Sequence, residues 1–524
     1  MKMIEQSFCT VKKTLCPFCS FGCEFGIIFD DFGLKGIEYI HDGSSEGRLC
    51  PRGSAAVLYL DHPRRLSMPL KNGKVYDWQK ITKELKKAFE HPKKVAVTFD
   101  RNITIEEYQS IVSFCEKAGV ENIASTYFEP EAFLKQFLSK PFSIDSIGNA
   151  NMIIVLGDPF NQSPMISQSL INWKLSNRNH RLVVIDSINS HTAVYASDFL
   201  RVKVGTEPLV FCALAREGLN GIDIPAVTGI SASVIKDISQ NFKNAAHGFI
   251  IAVLPFGHTY DALFLAESMA RLSTFSGKQV VPFVEFSGFE GNQHFGSVVD
   301  LVKKKKIKHI INFGELFPYY YPQFHKNLKA VDMVSTSPLK FNTFTTLPGA
   351  LNLEKSGTIF TTFGKKHIPG TITPASGVRT VDEILTLVSE VRGTGKSLKA
   401  PEMKIDTMER ARKLIERSIQ AKKKRSLTLI GEKIAYNFLG LFEKERMKMN
   451  PMDAHELGLL ENDVVSVTSK DGEVDIVVKL TTDVAQGIVA VPPETPDIKG
   501  LFDFEIDSGV VNFIPTEVEL CRKG

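Results

Sequence analysis

Four cysteines crowd into the first fifty positions of this 524-residue chain, and they constrain its folding more than any other feature. They read Cys16-Pro-Phe-Cys19-Ser-Phe-Gly-Cys23, then Cys50-Pro-Arg-Gly after 26 intervening residues. A cubane iron–sulfur cluster takes one terminal thiolate per iron, so it needs four cysteines. Tight spacing lets three thiolates wrap one corner, and a distant loop brings the fourth. Gly22 and Gly26 allow the backbone to approach the inorganic core closely. Zinc also accepts four cysteines, although zinc ribbons usually carry two C-x2-C knuckles and the second is missing here. Spacing alone leaves both metals open. The other four cysteines, Cys9, Cys115, Cys212 and Cys521, are scattered. Cys115 and Cys212 fall in apolar helical patterns and read as buried core thiols. Eight cysteines in so long a chain make no disulfide scaffold, and such clustering in a reducing compartment points to metal or cluster binding.

The remaining composition mainly excludes. Hydrophobic residues at 43% and charged residues at 23% are ordinary for a globular protein. A net charge of +4 is small beside 63 basic and 59 acidic residues, and gives no reason to invoke nucleic acid. No apolar run approaches the ~18 residues that span a bilayer. The first residues lack an apolar h-region, carry Glu5, and hold no twin-arginine pair before the cysteines. The expectation is a chain without export signal or direct membrane span, placed in the cytoplasm.

Length suggests about three or four domains at roughly 100–200 residues each. After the cysteine- and glycine-rich segment, apolar positions Ile81, Leu85 and Phe89 recur every fourth residue and predict a helix over Asp77–His91. Short apolar strands and amphipathic helices then alternate: Lys94–Thr98, Ile105–Ala118, Met152–Gly157, Pro164–Asn177, Arg181–Ile185, Gly248–Leu254, Tyr260–Ser276 and Ile307–Phe313. That alternation argues for parallel α/β sheets. Lys303–Lys306 reads as a solvated helix end. Pro401–Arg425 reads as a charged linker helix ending in KKKR. From Ser426 the pattern turns to strands, with a hairpin signal at Asp471–Gly472, and predicts a small β-barrel.

The cysteine motif and its surroundings, GRLCPRGSAAVLYLDHPRRLSMPLKNGK, resemble the N-terminal domain of the molybdopterin oxidoreductases. That family includes formate dehydrogenases, nitrate reductases, the pterin-binding component of formylmethanofuran dehydrogenase and the large iron–sulfur subunit of complex I. Further segments resemble the family in order. They are Gly157-Asp158-Pro159 to Ser163-Pro164; Ile185-Asp186 with Ser190–Asp198; Val204-Gly205-Thr206-Glu207; Leu347-Pro348; Glu354–Thr358 with Lys365-Lys366; and Met449–Gly458. Taken singly, Asp186 reads more readily as a helix cap, and Lys365 and Lys366 as solvated charges. Their order behind the cysteine motif carries the resemblance.

The resemblance implies an α/β fold with an N-terminal iron–sulfur domain, two doubly wound α/β domains and a C-terminal β-barrel. The expected boundaries are 1–68 for the cluster domain, 69–126 with 300–400 for a discontinuous α/β domain, 127–299 for the pterin dinucleotide-binding domain, and 425–524 for the barrel. It implies one [4Fe–4S] cluster on Cys16, Cys19, Cys23 and Cys50, with Arg52 as an electron relay. It further implies bis-molybdopterin guanine dinucleotide, with molybdenum or tungsten, near Arg52, Asp158, Asp186, Gly205, Thr206, Asn450 and Asp453, Lys365 pairing with phosphate. The expected partners are other iron–sulfur or flavin redox subunits in a hetero-oligomer.

One segment departs from the family. Catalytic relatives place a Cys, selenocysteine, Ser or Asp metal ligand just before the strand at Met152–Gly157, and formate dehydrogenases add a His. Asn122–Gly157 contains neither Cys nor His. Ser125, Thr126, Tyr127 or Glu129 offers an oxygen instead, without a recognisable motif. Two functions are therefore carried forward: a formate-dehydrogenase-like molybdenum or tungsten enzyme, and a non-catalytic electron-transfer subunit. Retention of Asp186, Gly205-Thr206 and the barrel favours the first.

Overall fold

A computed structural model of the chain describes residues 9–60, 62–100, 103–126, 137, 140–217, 219, 221–284, 294–314, 322, 331–337, 344–390, 405–419, 426–434 and 446–523. The chain divides into two compact units. The first gathers residues 1–127, 285–318 and 327–401; the second gathers 128–284, 319–326 and 402–524. The fold is mixed α/β, with a small cysteine-bearing sheet early in the chain and a closed β-barrel late in it. No helix among the described residues is long and apolar enough to cross a membrane.

In the first unit, Thr10–Leu15, Glu24–Asp30 and Gly33–Tyr39 form a three-stranded antiparallel sheet. The cysteine-rich segment is the loop of its first hairpin. The same unit holds a seven-stranded sheet in the order Lys74–Val75, Leu70–Lys71, Thr345–Pro348, Asp332–Ser337, His309–Phe313, Val95–Phe99, Asn122–Ser125. Its central strands run parallel. Val95–Phe99 is buried along its whole length, as a strand covered on both faces must be. Helix Trp78–Phe89 starts where Asp77 accepts hydrogen bonds from the amides of Gln79 (2.8 Å) and Lys80 (3.1 Å). It buries Ile81, Leu85, Ala88 and Phe89, one stripe at helical spacing. Helix Ile105–Ala118 starts at a reciprocal capping box between Thr104 and Glu107.

That capping box is tied to a distant segment. Lys355 Nζ lies 2.7 Å from Glu107, and both side chains are about nineteen-twentieths buried. Thr358 donates to Glu106 through its amide (2.7 Å) and hydroxyl (2.6 Å). A short antiparallel hairpin, Ser356–Thr361 with Gly364–Pro369, follows directly.

The second unit holds a five-stranded parallel sheet in the order Asp198–Arg201, Arg181–Asp186, Met152–Leu156, Gly248–Ala252, Gln279–Pro282. The chain winds outward from Met152–Leu156 in one direction, then returns beside it at Gly248–Ala252. The carboxyl ends of those two strands form a topological switch point, where open α/β sheets accept ligands. The barrel closes through Leu427–Gly431, Ile488–Val491, Arg446–Met449, Glu473–Leu480, Val464–Thr468 and Thr516–Arg522. Ser469–Gly472 makes the turn expected at Asp471–Gly472. Helix Thr407–Ile419 lies within the predicted linker helix and buries Ala411 and Leu414 against Leu209, Cys212 and Phe264. Residues 401–404 and 420–425 lie outside the described residues.

The buried Lys355–Glu107 pair gives a stability prediction. Lys355→Met leaves the Glu107 carboxylate buried without its counter-charge, which costs about 3–5 kcal/mol. Chemical denaturation should show that loss, whereas an unchanged midpoint would mean that the pair does not hold the segment in place.

Candidate metal centre and cofactor cleft

The cysteine loop is closed by its own backbone. Cys16 N–H donates to the Cys23 carbonyl at 2.8 Å, directly beyond the Leu15–Glu24 pair of the hairpin. Within the loop, Gly22 N–H donates to the Cys19 carbonyl at 3.2 Å. Gly22 sits at φ +59°, and a Cβ there would lie 2.7 Å from Thr361 Cγ2, so the position demands glycine twice over. Cys50 immediately precedes the short helix Pro51–Ser54. A Cβ on Gly53 would stand 3.5 Å from Cys16 Sγ, so this turn lies against the first cysteine.

All four thiols are buried, at 3%, 5%, 3% and 7% exposure in chain order. Burial pushes the Cys16 thiol well above its ordinary pKa, and Cys50 and Cys19 push it further; Arg52 opposes them. Burial likewise raises Cys23, followed by Cys16, Cys19 and Cys50, with Lys366 opposing. The four sulfurs thus feel one another. Yet among the described residues no three His, Cys, Asp or Glu side chains converge to hold a single ion. Four buried thiols that feel one another are the donor set a cubane takes, one sulfur per iron. Arg52 is only 2% exposed, so its guanidinium lies inside the domain. Cys115 and Cys212 are also fully buried, in helices Ile105–Ala118 and Glu207–Leu214. Burial raises both thiols, Cys212 to about 12, and they act as inert core residues.

In the second unit, Asp186 ends its strand at the switch point, 4% exposed. Its carboxylate accepts from the amides of Ser187 (2.7 Å) and Ile188 (3.3 Å). Burial first, then Asp158, raises its pKa to about 7. Gly205 stands at φ +82°, where a Cβ would meet Tyr260 Cδ2 at 2.3 Å. That turn lets Thr206 bond back to the Lys203 carbonyl through amide (3.1 Å) and hydroxyl (2.7 Å). It also delivers Glu207, a residue absent from the sequence-based set of cofactor contacts. Glu207 is buried, its Oε2 has no hydrogen-bond partner among the described residues, and burial raises its pKa to about 8. Asp186, Glu207 and His258 line one small cavity, with His258 Nδ1 4.0 Å from Asp186 Oδ1. His258 Nε2 donates to the Gly431 carbonyl (2.8 Å), so its neutral Nδ1 accepts from Ser187 Oγ (3.1 Å). Burial lowers its pKa to about 4. This imidazole joins the sheet edge to the barrel strand.

The other predicted positions are engaged more internally. Asp158 accepts from Phe160 N, Asn161 Nδ2, His191 N, Thr192 N and Thr192 Oγ1, the last at 2.6 Å. It knots together the loops after two strands. Asn450 caps helix Pro451–Leu457 and donates to the Val484 carbonyl, while Asp453 accepts from Gly487 N. Lys365 belongs to the first unit, where its ammonium lies 4.9 Å from the Phe360 ring centroid. Ser125 and Thr126 end a strand of the seven-stranded sheet, both buried. Ser125 forms an isolated parallel backbone bridge with His294, a residue from another part of the chain. Tyr127 and Glu129 lie outside the described residues.

A cysteine-loop domain followed by a switch-point cleft and a barrel defines a class of iron–sulfur, dinucleotide-binding redox proteins. Comparison narrows the class. Residues 9–62 match the molybdopterin oxidoreductase Fe4S4 domain, and residues 435–513 match the molydopterin dinucleotide binding domain. The chain is 24% identical over 317 residues to the F420-dependent formate dehydrogenase subunit alpha of Methanocaldococcus jannaschii, covering 51% of this chain and 46% of that protein. It is 20% identical over 341 residues to formate dehydrogenase H of Escherichia coli, covering 55% and 47%. The NADPH-Fe(3+) oxidoreductase subunit alpha of Geobacter sulfurreducens is 21% identical over 245 residues, covering 44% and 29%. The chain spans less than half the length of these relatives. Acetylene hydratase from Pelobacter acetylenicus shares its fold, with a TM-score of 0.74 at 13% identity, over 98% of this chain and 100% of that one. The two domain matches and the formate dehydrogenase relatives together support a member of the molybdopterin oxidoreductase family. Its cofactors are those of the two matched domains, a [4Fe–4S] cluster and a molybdopterin dinucleotide.

The raised carboxyls set a pH dependence. The folded protein holds protons on Asp186 and Glu207 that the unfolded chain releases near pH 4. Stability therefore falls as pH rises from about 4 to about 8 and levels beyond. Above pH ~6.5 His258 is neutral in both states and does not contribute. Thermal melting of cofactor-free protein should decline between pH ~6.5 and ~8, and Glu207→Gln should flatten that decline. An identical slope in the variant would remove Glu207 from the explanation.

Proposed function

We propose that the chain is a formate-dehydrogenase-like redox subunit that passes electrons through one [4Fe–4S] cluster on Cys16, Cys19, Cys23 and Cys50. The observation that carries this reading is the set of four buried, mutually interacting thiols with the buried Arg52 beside Cys16. In this reading Arg52 is the relay from the cluster towards the pterin. The dinucleotide occupies the switch-point cleft, with Asp158, Asp186, Gly205, Thr206, Asn450 and Asp453 shaping it and Lys365 serving a phosphate. Glu207 joins that set, because its buried Oε2 is without a partner among the described residues and the side chain lines one small cavity with Asp186. When bound, the molybdenum or tungsten pterin supplies the two-electron chemistry. The protein's own share is to hold it, exclude water and carry charge away. Several relatives are named as alpha subunits. That supports a hetero-oligomer; in this reading it is cytoplasmic, and other iron–sulfur or flavin subunits take the electrons.

A second reading, an electron-transfer or scaffold subunit without its own turnover, rests on one observation. The Asn122–Gly157 segment offers no Cys or His. Of the oxygen candidates Ser125, Thr126, Tyr127 and Glu129, the first two are among the described residues, and both are buried.

The test is anaerobic. Acid denaturation of purified protein should release guanine nucleotide, and formate-dependent dye reduction should be weak in the isolated chain and clear in its complex. Robust turnover in the isolated chain would place catalysis on residues not identified above. Absence of nucleotide from iron-replete protein would remove the pterin from the reading. Arg52→Ala should leave the cluster in place and slow its reduction from the pterin side.

A further inference from the structure

The hairpin Ser356–Thr361/Gly364–Pro369 is bound along its length to the cysteine loop. Thr362 N–H donates to the Ser20 carbonyl (2.7 Å), and their hydroxyls bond at 2.8 Å. Phe363 meets Phe21 edge-to-face, with ring centroids 4.9 Å apart. Leu15 packs with Ile359 and Ile368 in one small core. Thr361 fills the space that a side chain on Gly22 would need.

Lys366 is the charged member of this clasp. Its ammonium donates to the Gly22 carbonyl (3.2 Å), the Glu24 carboxylate (2.7 Å) and Ser44 Oγ (3.1 Å). Those three acceptors come from the cysteine loop, the strand after it, and the turn that leads to Cys50. They satisfy all three N–H bonds of an ammonium at once. The Lys366 side chain is 19% exposed and that of Glu24 is 33% exposed. Neighbouring Lys365 instead lies over Phe360, so the two lysines of the motif have separate tasks.

We propose that Lys366 is the positioning residue of the cluster: it fixes the Cys19–Cys23 turn against the Cys50 approach and raises the cluster's reduction potential. This inference rests on the cluster reading above. Its physical basis is charge. A [4Fe–4S] centre with four thiolates is anionic and gains another negative charge on reduction, so a fixed nearby cation favours the reduced state. Hydrogen bonds and net charge around the sulfurs are the levers that set such potentials. Arg52 acts on Cys16 and Lys366 on Cys23, so cations reach two different ligands of the centre. Glu24 partly offsets Lys366, which predicts opposite effects from removing either partner.

The experiment is an anaerobic redox titration of the full chain followed by EPR, comparing wild type with K366M, K366R and E24Q. K366M should shift the cluster midpoint to more negative potential, E24Q to more positive, and K366R should remain near wild type. If K366M does not retain iron, the E24Q and K366R shifts decide by the same signs. Unmoved midpoints, or shifts of K366M and E24Q in one direction, would overturn the assignment. A wild-type protein without any cluster signal would instead sink the cluster reading itself.

Discussion

Everything in the first unit depends on burying four sulfurs together. A thiol is a weak acid, and burial among other thiols makes it weaker still, as Cys16 and Cys23 show. Thiolates in that position require positive charge at their centre. In the proposed cluster iron supplies most of it; Arg52 acts on Cys16 and Lys366 on Cys23 from the protein. The loop geometry follows from that requirement. Cys16 and Cys23 are tied by a backbone bond, glycine permits the turn at position 22, and the hairpin from residues 356–369 closes the side.

The second unit meets the complementary problem, with acidic groups buried where donors are expected. Asp186 and Glu207 sit at the switch point of a parallel sheet, held protonated near neutral pH by burial. His258 fixes the cleft wall by bridging Ser187 and the barrel carbonyl of Gly431. Burial penalises the ionised form of both carboxyls, which is why they keep their protons to a higher pH than exposed ones.

Local patterns are legible in the sequence; distant pairings are not. The cysteine spacing is local, and so are the apolar runs at Val95–Phe99 and Met152–Leu156 and the helix at Trp78–Phe89 with its Asp77 cap. The barrel hairpin shows itself through Asp471–Gly472. The clasp cannot be read, because Ser20 and Thr362 lie 342 positions apart and neither has a distinctive neighbour pattern. Lys365 and Lys366 read as one element, although side chains alternate across a strand and only one can face the cysteine loop. Glu207 gives little signal of its own. What could have found it is the run EPLVFCAL, whose almost wholly apolar character buries the carboxylate that opens it. His294 lies far along the chain from Asn122–Gly157, and only the parallel bridge brings it beside Ser125.

The central claim is that these four cysteines hold one multinuclear iron cluster. Metal analysis combined with EPR spin quantitation on anaerobically purified, reduced protein tests it directly. About four irons and about one reduced-cluster spin per chain are expected, one cubane on four thiolates. Stoichiometric zinc without iron, and no reduced-cluster signal, would contradict it.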